Sequence, residues 1–366
     1  MRVIAFTSGV VLIAIILWDV FETMILPRRV LRRIKLTNFF YAFIWIPWSW
    51  VARKITEERR REKFLGLFGP LSLFILLAVW AVVLIVGYTL LLWSTNSAVN
   101  LADGNPSFAT YLYLSGVTFF TLGYGDIAPT LPLGRFLSVV EAANGFALFA
   151  IVMSYLPTLY QAFSKREASI ALLDARAGSP SSAVELLRRH RAEDTFDDLN
   201  RLLTEWERWS AELLESHLSY PVLCYFRSQH DNQSWLRALT TILDTCAIVL
   251  VGVKGAPTWQ ARMTFAMARH AVVDIAQVFQ TAPTSLEISG QRLDSDEFLR
   301  VRTLLAQNGI LLPDEDRIQE RLLETREMYE PFVVALSEWL LMPMPPWILP
   351  PDSIDNWKTS AWGRLQ

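Results

Sequence analysis

The six residues Thr-Leu-Gly-Tyr-Gly-Asp at positions 121–126 have the types and spacing to coordinate a cation through the main chain. A cation that crosses a membrane must lose its water, and backbone carbonyl oxygens along a narrow axis can replace that water. Such a row needs backbone angles that side chains resist, and the alternating Gly123 and Gly125 permit them. The hydroxyl of Thr121 can add one more ring of oxygens.

This segment resembles the selectivity filter of prokaryotic potassium channels, and the resemblance extends over about residues 67–163. It implies K⁺ as the permeant ion, no organic cofactor, and ligands from Thr121, Leu122, Gly123, Tyr124 and Gly125. Because each chain holds one copy and four copies must surround the axis, it also implies a homotetramer. Leu122 stands where many relatives have Val, and its side chain is expected to point away from the ions. A chance glycine turn is the alternative, but Asp126 and two flanking apolar stretches argue against it.

Three apolar stretches are predicted to carry this segment in a membrane. Pro70–Trp93 contains 24 residues without a charge, enough to span about 30 Å of hydrocarbon at about 1.5 Å per residue. Ala142–Phe163, extended by Leu133–Glu141, forms another span, and Val3–Leu26 forms a retained N-terminal one. The chain is 52% hydrophobic with a net charge of -2, which gives no support for a nucleic-acid partner.

Basic residues predict the orientation of these spans. Residues 28–63 contain eleven Lys or Arg, whereas residues 94–132 contain none. The positive-inside rule therefore places the first stretch and the C-terminal half in the cytoplasm, and the N-terminus outside. We expect a multi-pass protein of the inner (plasma) membrane. The predicted divisions are 1–27, an extra span; 28–66, a basic linker; 67–163, the pore; 164–342, a helical domain; and 343–366, a Pro- and Trp-rich tail.

Two features near the N-terminal span have alternative interpretations. Leu36–Val51 is apolar and aromatic but short and flanked by basic residues, so an interfacial helix is favoured over a fourth span. Asp19 and Glu22 are either functional intramembrane acids or partners of nearby arginines, and the second explanation is favoured.

A short pore helix is predicted from about Ser107 to Phe119, starting at Asn105-Pro106-Ser107. Its C-terminal end would direct partial negative charge at a central cavity. Thr118 is expected to hydrogen-bond behind the filter, and Asp126 to lie at the outer mouth. Glu141 either supports the filter or pore helix through hydrogen bonds or faces a lipid-side interface. Val117 occupies the position where some relatives have Glu.

The last span is predicted to contain the gate. Gly145 is either a hinge or a point of close helix packing. Pro157 is expected to kink the helix near its inner end. Met153, Leu156 and Tyr160 follow at helical spacing and could form an apolar constriction, although part of that stripe must face lipid or neighbouring helices.

Residues 164–342 show apolar positions at helical spacing. The predicted helices are Thr195–Ser219, Ser234–Val251, Thr258–Gln280, Asp294–Asn308 and Asp314–Leu341, the last broken or kinked at Pro331. The sequence has no Gly-x-Gly-x-x-Gly nucleotide loop, acidic calcium loop or catalytic motif, so no enzyme is predicted and the regulator is unknown. The nearest set of potential zinc ligands has unsuitable spacing: His217, Cys224, His230 and Cys246. The tail either docks on a neighbouring subunit or partner, or is loosely ordered.

The favoured hypothesis is an all-α membrane protein with a tetrameric pore-loop potassium channel fold and an α-helical cytoplasmic domain that controls the inner helix. The alternative is a membrane sensor or scaffold whose channel-like pore is non-conducting or poorly selective. Arginines lie in clusters outside the spans, so little intrinsic voltage dependence is expected.

Overall fold

A computed structural model of the chain describes residues 1–26, 36–100, 105–191, 195–230, 232–283, 292–313, 317–351 and 353. Within these ranges the chain is all-α, and extended pairing is limited to one isolated bridge between Val99 and Pro129. The helices are α1 (Arg2–Val20), α2 (Leu36–Arg53), α3 (Glu58–Gly66), α4 (Phe68–Ser94), α5 (Phe108–Phe119), α6 (Pro132–Ala177), α7 (Ala183–Arg189), α8 (Asp197–Ser219), α9 (Trp235–Leu250), α10 (Thr258–Val278), α11 (Ser295–Gln307), α12 (Ile318–Glu327) and α13 (Glu330–Leu340). A π-helical turn, Phe21–Ile25, continues α1, and a 3₁₀ turn, Pro221–Tyr225, follows α8.

Three helical stretches in the described residues are long and apolar enough to cross a membrane: Arg2–Ile25, Glu58–Ser94 and Pro132–Ala177. They contain the three spans predicted from the sequence, so the predicted all-α membrane fold is confirmed. The chain divides into two compact units. The first consists of Met1–Lys54 and Leu67–Tyr160, and the second of Ile55–Gly66 and Gln161–Gln366.

In the first unit, two glycines allow α1 and α4 to pack at close range. A Cβ atom on Gly9 would lie 2.7 Å from the carbonyl oxygen of Gly87. A Cβ on Gly87 would lie 2.8 Å from Cγ1 of Ile13. Helices in a membrane associate through such small residues because their backbones can then approach closely.

Asp19 is buried at the same α1–α4 interface. Its carboxylate accepts hydrogen bonds from the indole N–H of Trp80 at 2.9 Å and from the hydroxyl of Thr37 at 2.8 Å. The sequence favoured nearby arginines as its partners, but Arg28, Arg29, Arg32 and Arg33 lie outside the described residues. The described partners come from α4 and α2, so Asp19 joins three helices of this unit. Glu22, on the π-helical turn, is also buried.

Helix α2 is amphipathic in its packing. Trp45 is buried, and its ring packs edge-on against Phe68 with centroids 4.7 Å apart. The other side exposes an apolar stripe at helical spacing: Phe39, Phe43, Ile46 and Trp50. The ammonium of Lys54 lies 3.3 Å from the centre of the Trp50 ring. These features are typical of a helix that lies along a membrane surface.

The second unit is built around α8, α9 and α10. The predicted apolar stripe of α8 is buried, from Leu199 to Leu214, and α9 is buried on every side. The hydroxyl of Ser234 accepts from the amide of Arg237 and caps α9 at the predicted start. The predicted break near Pro331 is present. One helix ends at Glu327, and Pro331 lies in the first turn of α13, where the missing amide is harmless.

Helix α6 is longer than the predicted last span, which ended near residue 163. It passes without interruption through Pro157 and continues to Ala177, so its helical path extends well beyond residue 163. Proline lacks an amide donor and is unfavourable inside a helix. Helical structure nevertheless continues on both sides of Pro157, through apolar residues before it and more polar residues after it.

The described part of the tail packs on the second unit. Trp347 is fully buried, with the guanidinium groups of Arg292 and Arg326 at 5.0 and 5.6 Å from its ring centre. These arginines form a buried ion network with Asp244 and Glu330. The tail therefore contacts its own chain up to this point, while Trp357 and Trp362 lie outside the described residues.

Candidate functional site

Helix α5 occupies the predicted position of the pore helix. The Ser107 hydroxyl accepts from the amide of Thr110, and the Thr110 hydroxyl accepts from the amide of Ser107, which forms a capping box. At the other side of the helix, the buried hydroxyl of Tyr111 donates to the carbonyl of Ser97 at 2.8 Å. The prediction of a helix over about Ser107–Phe119 is confirmed.

The filter segment, Thr121–Gly125, has an alternating backbone. Thr121, Gly123 and Gly125 have positive φ angles of 55°, 60° and 78°, whereas Leu122 and Tyr124 do not. Alternation between left- and right-handed conformations directs successive amides to one side of the chain and successive carbonyls to the other. Consistent with this, the amides of Thr121 and Leu122 donate back to the carbonyls of Thr118 and Val117, at 3.0 and 2.9 Å.

The end of the filter segment is connected to α5 by a side chain. The hydroxyl of Tyr113 donates to Oδ2 of Asp126 at 2.9 Å. The sequence alone did not identify this bond. Thr118, which was expected to hydrogen-bond behind the filter, contacts the segment through its carbonyl, which accepts from the amide of Thr121 at 3.0 Å.

The loop after the filter is attached to the segment that follows α4. The amide of Ala128 donates to the side chain of Asn100, and the amide and hydroxyl of Thr130 both donate to the carbonyl of Ala98. These bonds join the segment that follows α4 to the segment that precedes α6.

Glu141 is completely buried on α6 and hydrogen-bonded to the hydroxyl of Ser115 on α5. The Ser115 oxygen also lies 2.8 Å from the carbonyl of Ile85 on α4. A second polar contact follows one turn later, where the amide of Asn144 donates to the hydroxyl of Tyr88 at 2.5 Å. Glu141 thus faces the pore helix, as one of its two sequence interpretations required. Ser115 and Asn144 had no distinctive sequence signal.

Gly145 lies against the C-terminal end of α5. A Cβ atom at this position would collide with the carbonyl oxygen of Phe119, which belongs to rigid backbone. Of the two explanations that the sequence left open, the contact favours close packing over a hinge. Because Gly145 has no side chain, α6 can contact the backbone of Phe119, two residues before the filter segment.

The inner half of α6 has two different faces. Tyr155 and Leu159 are buried, and Leu156 is half-buried. Met153, Pro157 and Tyr160 are exposed, and Met153 and Tyr160 continue an apolar stripe that also contains Val139, Phe146 and Phe149. Of the three residues predicted to form a constriction, Met153 and Tyr160 share this exposed face and Leu156 lies beside it.

The four potential zinc ligands of the second unit are not brought together. The described residues contain no group of three or more His, Cys, Asp or Glu suited to a metal. His217 is buried with Nε2 3.2 Å from Arg166 Nη1 and Nδ1 2.9 Å from the carbonyl of Leu213. Burial, and then the charge of Arg166, lowers the pKa of His217 well below its usual range. Burial raises the pKa of the Cys224 and Cys246 thiols, so both residues are neutral.

Comparison with known proteins supports a channel domain in the first unit. Residues 72–162 match a protein-family model with the description ion channel. An uncharacterised membrane protein of Bacillus subtilis (strain 168), YdjJ, is 26% identical over 209 residues, which are 56% of this chain and 60% of that protein. Protein LctB of Bacillus caldotenax is 30% identical over 76 residues, 21% of this chain and 54% of that protein. Protein LctB of Geobacillus stearothermophilus is 40% identical over 43 residues, 12% of this chain and 31% of that protein.

The chain thus spans at most 60% of the length of these curated relatives. No solved structure matches it. The family match covers α4, α5, the filter segment and most of the apolar part of α6, which is the part whose geometry is described above. Residues 72–162 are therefore similar to an ion channel domain, within a chain that folds as an all-α membrane protein.

Proposed function

We propose that this protein is a potassium-selective channel that conducts K⁺ passively across the inner (plasma) membrane as a homotetramer. The alternating backbone of Thr121–Gly125 is the observation that carries this proposal. The amides of Thr121 and Leu122 bond back to α5, and the alternation of positive and negative φ would direct the carbonyls of the segment to the opposite side. Four such segments around one axis would supply the rings of oxygens that replace the hydration shell of K⁺.

The exposure of the filter in one chain supports assembly around an axis. The side chains of Leu122 and Tyr124 are 55% and 68% exposed, although both are large and apolar or aromatic. The exposed stripe of α6 follows the same pattern. Neighbouring copies would cover Leu122 and Tyr124 from behind, while part of the α6 stripe would line a central cavity. The carbonyl end of α5 would contribute partial negative charge to that cavity.

Gating would occur at the inner half of α6. Met153 and Tyr160 project from the exposed face at a spacing of two helical turns, and Leu156 is partly available beside them. Rings of apolar side chains close a pore by excluding water. Because α6 continues into the second unit, movement of that unit would reach the constriction along one helix.

The second unit would lie in the cytoplasm and the N-terminus outside, as the distribution of basic residues requires. Helix α2 would lie at the inner membrane interface, with Phe39, Phe43, Ile46 and Trp50 facing the acyl chains.

Potassium flux from liposomes tests the proposal. The purified full chain should pass K⁺ and strongly exclude Na⁺. Gly123→Val should abolish flux, because Gly123 has a φ of 60° and a β-branched side chain is strained at such an angle. Gly255→Val is a matched control, since Gly255 also has positive φ and open space but lies in the second unit. Absence of flux under varied pH, voltage, tension and ligands would contradict the proposal and favour a sensor or scaffold. Equal K⁺ and Na⁺ flux would contradict selectivity alone.

A further inference from the structure

The 3₁₀ turn and the two residues after it, Pro221–Arg227, form a segment of the second unit that we call the coupling segment. Its carbonyls accept hydrogen bonds from side chains of other elements. Arg166 donates to the carbonyls of Leu223 and Phe226, both at 2.9 Å, and the indole of Trp235 donates to the carbonyl of Cys224 at 3.2 Å. A short 3₁₀ turn cannot pair all of its own carbonyls, and buried backbone groups need partners, so these donors hold its conformation.

Arg166 connects the coupling segment to the continuation of α6. Its guanidinium is buried and also donates to Nε2 of His217, whose Nδ1–H is directed at the carbonyl of Leu213. The neutral state of His217 is required here, because a protonated ring would present an N–H to Arg166. Phe163, one turn earlier on α6, packs against Phe226 with ring centroids 5.5 Å apart. The coupling segment therefore contacts the same helix that carries the exposed stripe.

Arg227 connects the coupling segment to α3. Its guanidinium lies 3.6 Å from Oε2 of Glu62, with both side chains almost fully buried. It also donates to the carbonyl of Leu341 at 3.1 Å and to that of Leu340. The last carbonyls of a helix such as α13 have no partner within the helix, and Arg227 supplies one. Burial lowers the pKa of Arg227 to about 10, and the nearby Glu62 opposes this, so the guanidinium is charged at neutral pH. Helix α3 ends at Gly66, and α4 begins at Phe68.

We propose that the coupling segment transmits movement of the helical domain to both helices that flank the filter, through Arg166 to α6 and through the Arg227–Glu62 pair to the start of α4. This inference rests on the proposed channel function. This one segment of seven residues contacts both α3, which leads directly into α4, and the part of α6 that follows its apolar stretch. A displacement of the core helices α8 and α9 would therefore move both places together, whereas an α6 contact alone would move one.

Single-channel recording of the full-length tetramer in planar bilayers tests the proposal. Glu62→Gln keeps the shape of the side chain but removes the charge that faces Arg227. Arg166→Lys keeps the charge but loses the planar fork that reaches two carbonyls. Both should change the open probability by about fivefold or more, the usual size of coupling between sites, with unitary K⁺ conductance and selectivity unchanged.

Glu57→Gln is the matched control. Glu57 precedes α3, is 54% exposed and pairs with Arg60, whereas the Glu62 side chain is 13% exposed. Exposed pairs of this kind contribute little, so this variant should behave as the wild type. Open probabilities of Glu62→Gln and Arg166→Lys equal to that of Glu57→Gln would overturn the proposal.

Hydrogen exchange gives a second measurement that does not depend on conduction. In Glu62→Gln, the amides of α3 should exchange faster while those of α9 keep their protection. Unchanged exchange in α3 would also overturn the proposal, because the pair would then not hold that helix. A wild-type protein without K⁺ flux would instead contradict the proposed function, and the exchange result would still decide whether Glu62 anchors α3.

Discussion

At the scale of single residues, Gly145 determines how closely α6 approaches the pore helix. Because a Cβ atom there meets the backbone carbonyl of Phe119, Gly145→Ala must move one helix relative to the other. Overpacking of this kind costs about 1–3 kcal/mol. We expect a lower melting temperature of the solubilised protein together with reduced K⁺ flux.

The control for this prediction is Gly116→Ala on α5. An added Cβ at this position would have no described atom of another residue within 4 Å, apart from its own helix backbone and chain neighbours. Alanine at this helical position should be neutral or slightly stabilising. If Gly145→Ala melts and conducts like Gly116→Ala, the close contact is not important for the fold or the pore.

Tyr113 and Asp126 form the described side-chain link between the pore helix and the outer end of the filter segment. Tyr113→Phe removes only the hydroxyl that donates to Asp126. The loss of one such bond costs about 1 kcal/mol, which is enough to change the stability of a strained segment without unfolding the unit. We expect weaker K⁺ over Na⁺ selectivity or faster loss of current, with an unchanged melting temperature. Unaltered reversal potentials and current decay would contradict a supporting role for this bond.

At the scale of structural elements, the buried Asp244 of α9 predicts a pH dependence of the second unit. Burial raises the pKa of Asp244 to about 6, although the charge of Arg292 and the hydroxyl of Tyr329 oppose the shift. Arg326 and Glu330 complete the charged groups around it. The folded state thus binds a proton more tightly than the unfolded chain, whose Asp has its ordinary pKa near 3.8.

The sign of the effect follows from this difference. The stabilising contribution of protonated Asp244 is complete below about pH 4 and is lost as the pH rises through about 6. We expect the unfolding free energy of the wild type, relative to Asp244→Asn, to increase by about 2 kcal/mol between pH 7 and pH 4. Denaturant titrations of both proteins over this range measure the difference. A difference that does not change with pH would show that Asp244 has an ordinary pKa.

For α2, the two orientations considered from the sequence predict different depths in the bilayer. We expect spin labels on Phe39→Cys, Phe43→Cys, Ile46→Cys and Trp50→Cys to lie at one depth near the headgroups, because these positions share the exposed stripe. A membrane-spanning helix would instead give a depth change of about 16 Å between the first and last position at about 1.5 Å per residue. Ala52→Cys, which is buried, is the control for protein contact. The native Cys224 and Cys246 are buried and can be replaced by Ala.

The elements that were predictable from the sequence are those with local signals. The helix start at Ser107, the alternating glycines and the uncharged spans each depend on residues within a few positions. The contacts of Glu141 with Ser115, Arg227 with Glu62, and Asp244 with Arg292 join residues far apart in the chain. Such pairs depend on which helix faces meet, and a polar residue does not identify its partner. The continuation of α6 beyond residue 163 was likewise not predicted from the sequence, because surrounding packing outweighs local propensity.

At the scale of the whole molecule, four chains should form one particle. Native mass spectrometry of the solubilised protein should therefore give close to four times the 41.8 kDa of one chain. Neighbours in a closed ring would cover the uncovered filter segment and part of the exposed stripe of α6, and rotational symmetry provides identical neighbours for every copy. A stable monomer or dimer that conducts K⁺ would contradict this arrangement.

Mixing wild-type and variant subunits tests whether four chains form one pore, with ion flux as the measurement. If one Gly123→Val subunit distorts a ring of four filter segments, equal co-expression with the wild type should leave about one-sixteenth of the wild-type flux, since only all-wild-type rings conduct. Independent pores would leave about half, and dimeric pores about one quarter. Co-expression with Gly255→Val should leave the flux unchanged, because that glycine has the same backbone handedness but lies in the second unit. The residual flux therefore counts how many filter segments share one ion pathway.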